Sequence, residues 1–240
     1  MMRRAGRSAI AVGLHWRTLV VIFLVSCSGG PEDQPPPQGG STIPPLVDGS
    51  LLEAGTFALG LPPLTITFTV PAGWEAGPFY VVPTEAGSEP PTGTAVGFWI
   101  VDNIYADPCR WDRGLLDPPL GPSAGDLATA LKDQRGRYAT SPTPGELNGR
   151  PTIELELTVP PDLDFSECSN KRGPRSYFIS WPQRDPPGGG RYHQGPGQRD
   201  RLWILDVDGV RLVVDASFFP ETSAADRAEL WGIVRSVHVE

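Results

Sequence analysis

Gly121-Pro-Ser-Ala-Gly125 fits G-x-S-x-G, the turn that presents a serine nucleophile in α/β-hydrolases. That chemistry needs a buried strand before the serine, a helix after it, and a base with its carboxylate within reach. A helix does follow. What precedes is Leu115-Leu-Asp-Pro-Pro-Leu120, whose paired prolines cannot donate to a central ladder. Ser123 as a helix N-cap, with Asp126 three residues on, accounts for the same letters. His193 and His238 follow in a suitable chain order but have no strand framework around them. An envelope-associated hydrolase using Ser123 is therefore the alternative reading, and no catalytic residue is assigned.

The stretch Arg191-Tyr-His-Gln-Gly-Pro-Gly-Gln-Arg-Asp200 has no evident structural duty. It sets Arg191, Tyr192, His193, Gln194 and Gln198 in a flexible loop, with Trp181 before it and Trp203 after it. Hydrogen-bonding side chains beside aromatic rings are typical of glycan- and peptide-binding surfaces, and loops carry function disproportionately. The plainer account is a solvated connector packed over the sheet edge. Asp206, Asp208 and Gly209 look like half a calcium loop, but Val and Leu stand where the closing acidic ligand belongs. A hairpin turn explains them better. Neither a metal nor a cofactor is expected.

Three cysteines, at 27, 109 and 168, is an odd number for an exported chain. Arg3, Arg4, Arg7 and Arg17 precede or flank a short apolar core, Thr18 to Val25, which is too short to span a bilayer. It ends in Leu24-Val25-Ser26-Cys27, which resembles the lipobox of bacterial lipoproteins. That resemblance implies cleavage before Cys27 and diacylglyceryl and palmitoyl-type chains on it, enough to hold the chain on a membrane. Cys109 and Cys168 then remain as one pair, whose default outside the cytoplasm is a disulfide. Removing residues 1–26 leaves 16 basic against 28 acidic residues, a net charge of −12. Such a surface argues against nucleic acid and against lying flat on anionic lipid. The expected location is the extracytoplasmic face of the cell membrane, tethered at Cys27. Composition says nothing of oligomeric state.

These features need a scaffold. Residues 28–45 are rich in Pro and Gly and read as an extended linker; the folded domain is expected over 46–240. Leu64, Ile66, Phe68 and Val70 alternate with threonines, and Ile153, Leu155, Leu157 and Val159 alternate with Glu154, Glu156 and Thr158. Both are strands with one buried face, the glutamates facing water. Shorter strands are expected at 79–82, 96–101 and 176–181. Helices open at Ser123 and Ser223, each with an acid three residues later. Two β-branched runs flank Asp208-Gly209, a two-residue hairpin signal. The order predicts an α+β domain with a single antiparallel sheet, a helix after the first strands and a C-terminal helix packed on the sheet.

The segments T-F-T-V-P-A-G-W (67–74), the helix at 123–134, E-L-N-G-R-P-T-I-E-L-E-L (146–157) and the closing hairpin-helix resemble the PsbP-like fold. That fold includes the LpqN-type lipoproteins of actinobacteria. The resemblance implies a non-catalytic accessory or binding role, with an envelope protein or a cell-wall glycan as partner, and carries over no catalytic residue. The 191–198 loop and the cysteine pair depart from that pattern.

Overall fold

The computed structural model describes residues 42–170, 176–184 and 189–240; the expected export signal, Cys27 and most of the expected linker lie outside them. Pairing with the domain begins at Pro44, whose carbonyl accepts from Ala58 N–H at 2.9 Å. The strands run β1 (Leu51–Leu52), β2 (Gly55–Leu61), β3 (Leu64–Val70), β4 (Trp74–Ala76), β5 (Tyr80–Pro83) and β6 (Thr94–Ile100). Helix α1 (Ala124–Lys132) follows, then β7 (Tyr138–Ala139), β8 (Thr143–Leu147), β9 (Arg150–Thr158), β10 (Ile179–Pro182) and β11 (Gly190–Tyr192). The chain closes with β12 (Arg199–Val207), β13 (Val210–Phe218), α2 (Ala224–Arg235) and β14 (His238–Val239).

The α+β class holds, and among the described residues every strand ladder is antiparallel. The single sheet does not hold. A nine-stranded sheet, ordered β1-β4-β5-β6-β13-β12-β9-β7 with β8 on β9, is flanked by a three-stranded sheet β14-β3-β2 and by the hairpin β10-β11. The physical reason is that the central strands are apolar on both faces, so each face must be covered. On one face Phe98, Ile100, Leu205, Leu212 and Val214 pack against Leu230, Ile233 and Val234 of α2 and against Ile66 and Phe68 of β3. On the other, Trp99, Val101, Leu155, Leu202, Ile204 and Val213 pack against Leu127, Ala128 and Leu131 of α1 and Trp181 of β10.

Local signals set the connections. Asp208 (φ 49°) and Gly209 (φ 81°) make the two-residue turn between β12 and β13, and Asn148-Gly149 does the same between β8 and β9. Both helices start on the expected serine: Ser123 Oγ and Ser223 Oγ each accept from the N–H three residues on, at 3.1 Å. Cys109 and Cys168 form a disulfide. Strand β10 is shorter than the expected 176–181 strand, because Tyr177 N–H donates instead to Ser169 O at 3.0 Å. Glu154 and Glu156 are half-buried rather than fully in water; Glu154 pairs with Arg201 at 2.9 Å and Glu156 with Arg199 at 3.8 Å.

Candidate functional site

Strand alternation puts Asp200 on β12 and Asp215 and Ser217 on β13 on the face covered by β10-β11. Carboxylates in an apolar sheet must be paired, since an unpaired buried charge costs several kcal/mol. The hairpin supplies the first partner. Arg191 of β11 donates through Nη2 to Asp200 Oδ1 at 2.6 Å, through Nε to Asp215 Oδ2 and through Nη1 to Tyr192 O. Arg137, between α1 and β7, reaches Asp200 Oδ2 at 3.4 Å and donates to Ser180 Oγ. Its guanidinium stands 5.8 Å from the Phe178 ring centre. Gln198 donates to Asp200 Oδ1 at 2.9 Å and accepts from Gln194 N–H at 2.7 Å. Gln134 accepts from Arg137 at 3.1 Å and donates to the carbonyls of Tyr105 and Ser180.

This network overturns the picture of 191–200 as a free loop. Arg191, His193 and Gln198 are buried, Tyr192 and Gln194 half-buried, and the segment is the clamp holding β10-β11 on the sheet. Trp181 is buried beneath it. Trp203 points to the opposite face of the sheet, edge-on to Trp231 of α2 at 6.1 Å, and belongs to no common site with the loop. Neighbours in sequence part here because Trp203 has odd parity with Leu202 on a strand whose side chains alternate.

Ser123 and His193 are not brought together. Ser123 Oγ donates to Asp126 Oδ2 at 2.7 Å, and the same oxygen accepts from Ser123 N–H at 3.0 Å, closing the capping box. The adjacent Ala124 N–H donates to Asp206, six residues along β12 from Asp200, or about 20 Å at strand rise. His193 instead has Nε2 2.7 Å from Ser180 Oγ and Nδ1 3.1 Å from Asp200 Oδ2, the latter without hydrogen-bond alignment. The residue types are those of a nucleophilic triad. Their setting differs: Ser180 is 0 % exposed, its oxygen is engaged by Arg137, and none of Ser180, His193 and Asp200 lines the cavity beside Arg191 and Asp215. His238 is exposed on β14.

Burial pushes the His193 imidazole down to about 4 despite the neighbouring Asp200 carboxylate. Asp200 is opposed by burial, but Arg191, His193 and Arg137 hold it well below the usual carboxylate range. Burial drives the Asp215 carboxyl the other way, up to about 7, against the pull of Arg191. A depressed histidine contributes stability above its unfolded pKa near 6.5, lost as pH falls toward 4. A raised aspartate contributes stability below 3.8, lost as pH rises through 7. The two oppose each other across the same window. Asp215→Asn should therefore expose the histidine alone and lose about 3 kcal/mol between pH 6.5 and 4. His193→Gln should slope the other way. Urea unfolding at three pH values across that window checks both, and parallel slopes for the two variants would refute the assignment.

Beside the network lies a cavity of about 320 Å³ between β5, β6 and β11, lined by Phe79, Tyr80, Trp99, Tyr192, Asp215 and Ser217 among others. Phe79 and Trp99 stand 4.7 Å apart at 58°. Gly97, opposite Asp215 in register, lets the Trp99 ring fold over the sheet: a Cβ at 97 would meet Trp99 Nε1 at 2.7 Å. Trp99 Nε1 and Asp215 Oδ1 are both buried without a hydrogen-bond partner in the protein. Among the described residues no three His, Cys, Asp or Glu side chains are grouped to hold a metal ion.

Sequence reading passed over Trp99, Arg137, Ser180, Asp200 and Asp215. One signal was available: Val213-Val-Asp-Ala-Ser-Phe-Phe219 sets a carboxylate amid an apolar run, and a buried acid requires a partner.

No family model matches the chain, and no curated protein matches it in sequence. Among solved structures it is similar to a protein of Bacteroides thetaiotaomicron at 8 % identity and TM-score 0.32, covering 73 % of this chain and 45 % of that one. It is also similar to the cyanobacterial PsbP (CyanoP) of Synechocystis at 14 % identity and TM-score 0.35, covering 81 % of this chain and 98 % of that one.

Proposed function

We propose that this chain is a lipid-anchored, extracytoplasmic, non-catalytic module of the PsbP-like kind that binds an envelope partner at the cavity beside Trp99 and Asp215. One observation carries the binding half: a concave site with aromatic walls, where a buried donor and a buried acceptor lack partners. Buried polar atoms are normally satisfied, and orphaned ones cost on the order of 1–3 kcal/mol each. Trp99 and Asp215 both line this cavity, and a ligand that parts the side chains over these two buried atoms supplies both partners. The anchoring half rests on Leu24-Val25-Ser26-Cys27 and on the Cys109–Cys168 bridge, which belongs to oxidising compartments. The described residues contain no helix long and apolar enough to cross a membrane; attachment in this reading is through acyl chains on Cys27.

The test has two arms. Full-length protein should incorporate a clickable palmitate analogue and sediment with membranes, and Cys27→Ala should lose both. A photoreactive phenylalanine at Tyr80, on the cavity rim, should yield adducts with envelope material in intact cells, whereas the same residue at exposed Tyr138 should not. Membrane retention of the Cys27→Ala variant would sink the anchor. Identical or absent adducts from both positions would sink the binding site.

A further inference from the structure

The cavity's chemistry narrows what it takes, given the binding reading just proposed. We propose that it holds one neutral sugar ring, a hydroxyl of which accepts from Trp99 Nε1–H and donates to Asp215 Oδ1 while the ring packs on the Phe79, Tyr80 and Trp99 side chains.

Charge decides first. An anion would have to approach Asp215. It would gain little from Arg191, each of whose three nitrogens already donates within the protein. A cation would suit an aromatic cage with a carboxylate. Here that carboxylate is already engaged by Arg191, whose charge would repel a second cation, and an ammonium offers nothing to the unpaired indole N–H. A neutral group that both accepts and donates answers both orphaned atoms. A hydroxyl does this with one oxygen.

Geometry decides next. Asp215 and Gly97 face each other across the β13–β6 ladder, and the indole nitrogen lies over Gly97. The orphaned donor and acceptor are thus neighbours on one wall, spaced by a cross-strand pair, roughly 5 Å between backbones. Ser217 and Gln194 add further polar groups around the same space. The apolar walls are ring faces, against which the C–H face of a pyranose can lie. At about 320 Å³ the space is at the small end of ligand pockets. It suits a compact ring better than an extended peptide, which would need a free strand edge for its backbone.

The experiment uses the full chain in detergent, with ligand-observed saturation-transfer NMR and tryptophan fluorescence titration. The probes are glucose, N-acetylglucosamine, choline chloride, sodium acetate and triglycine. Glucose or N-acetylglucosamine should bind. Trp99→Phe, which keeps the ring and deletes the donor, and Asp215→Asn, which keeps the shape, should each weaken that binding about tenfold or more. A preference for choline would replace the sugar by a cation, and a preference for acetate or triglycine would likewise overturn it. Sugar binding that ignores both substitutions would place the ligand elsewhere. If no probe binds while Tyr80 still crosslinks in cells, the sugar assignment falls and the binding module stands. If the crosslink is also absent, both fall.

Discussion

Replacing Asp200 by Ala should lower the unfolding free energy by about 3–5 kcal/mol, more than any single surface ion pair could account for. Asp200 is 1 % exposed and receives Arg191, Arg137 and Gln198, with His193 Nδ1 at 3.1 Å. Removing it leaves two buried guanidiniums with only Asp215 to offset them. Desolvation already lowers Arg137 to about 10, so an uncompensated Arg137 is the main source of the loss. A built-in control exists on the surface. Arg184 holds Asp102 through two bonds of 2.7 and 2.8 Å, yet both side chains are about half exposed. Asp102→Ala should cost less than about 1 kcal/mol despite its better geometry, because water screens the pair and solvates what remains. Urea unfolding of the two variants, with unchanged m-values, checks the contrast. Equal effects would mean that the buried network is not what fastens β10-β11.

Loss of the disulfide should cost about 4 kcal/mol in the chain-entropy picture, given its sequence separation of 59 residues. For a domain of this size that lowers Tm by about 8–16 °C. The bridge joins the short helical turn Pro108–Arg113 to Cys168, which caps the turn Phe165–Glu167; neither turn belongs to a strand ladder. Their apolar support is a small cluster of Val159, Cys168 and Phe178. Some hydrogen bonds survive without the bridge, among them Ser169 N–H to Cys109 O at 2.8 Å and Trp111 Nε1–H to Ser169 O at 3.1 Å. The double Cys→Ser variant should therefore fold and melt early rather than fail to fold. Thermal unfolding with and without reductant measures the shift; a Tm unmoved by reductant, with both thiols free by mass spectrometry, would contradict the pairing.

The network also explains why the two variants should differ in kind. Cutting the disulfide enlarges the unfolded ensemble and leaves the native sheet intact. Cutting Asp200 damages the native state itself, at the hinge between hairpin and sheet. Only the second should disturb the cavity, because Arg191 orients Asp215 from β11. Fluorescence of Trp99 and Trp181, which stand 6.1 Å apart edge-to-face beneath the hairpin, offers a local readout of that difference.

What the sequence alone determined was what depends on near neighbours along the chain. Two-residue periodicity located β3 and β9, because a half-buried strand must alternate. Serine followed by an acid three residues later located both helix starts, and Asp208-Gly209 located the turn between β12 and β13, because each motif satisfies its own backbone locally. Cysteine arithmetic paired 109 with 168. Tertiary structure alone decided how the layers divide and where the site sits. Strand β2, Gly55-Thr-Phe-Ala-Leu-Gly-Leu61, carries two glycines and a weak alternation, and is fixed by its ladder to β3. The clamp joins Arg137, Ser180, Arg191, His193, Asp200 and Asp215, drawn from five separate segments. The partner of a buried charge is set by which strands become neighbours, and residues far apart in the chain carry no mark of one another until the sheet brings them within hydrogen-bond reach.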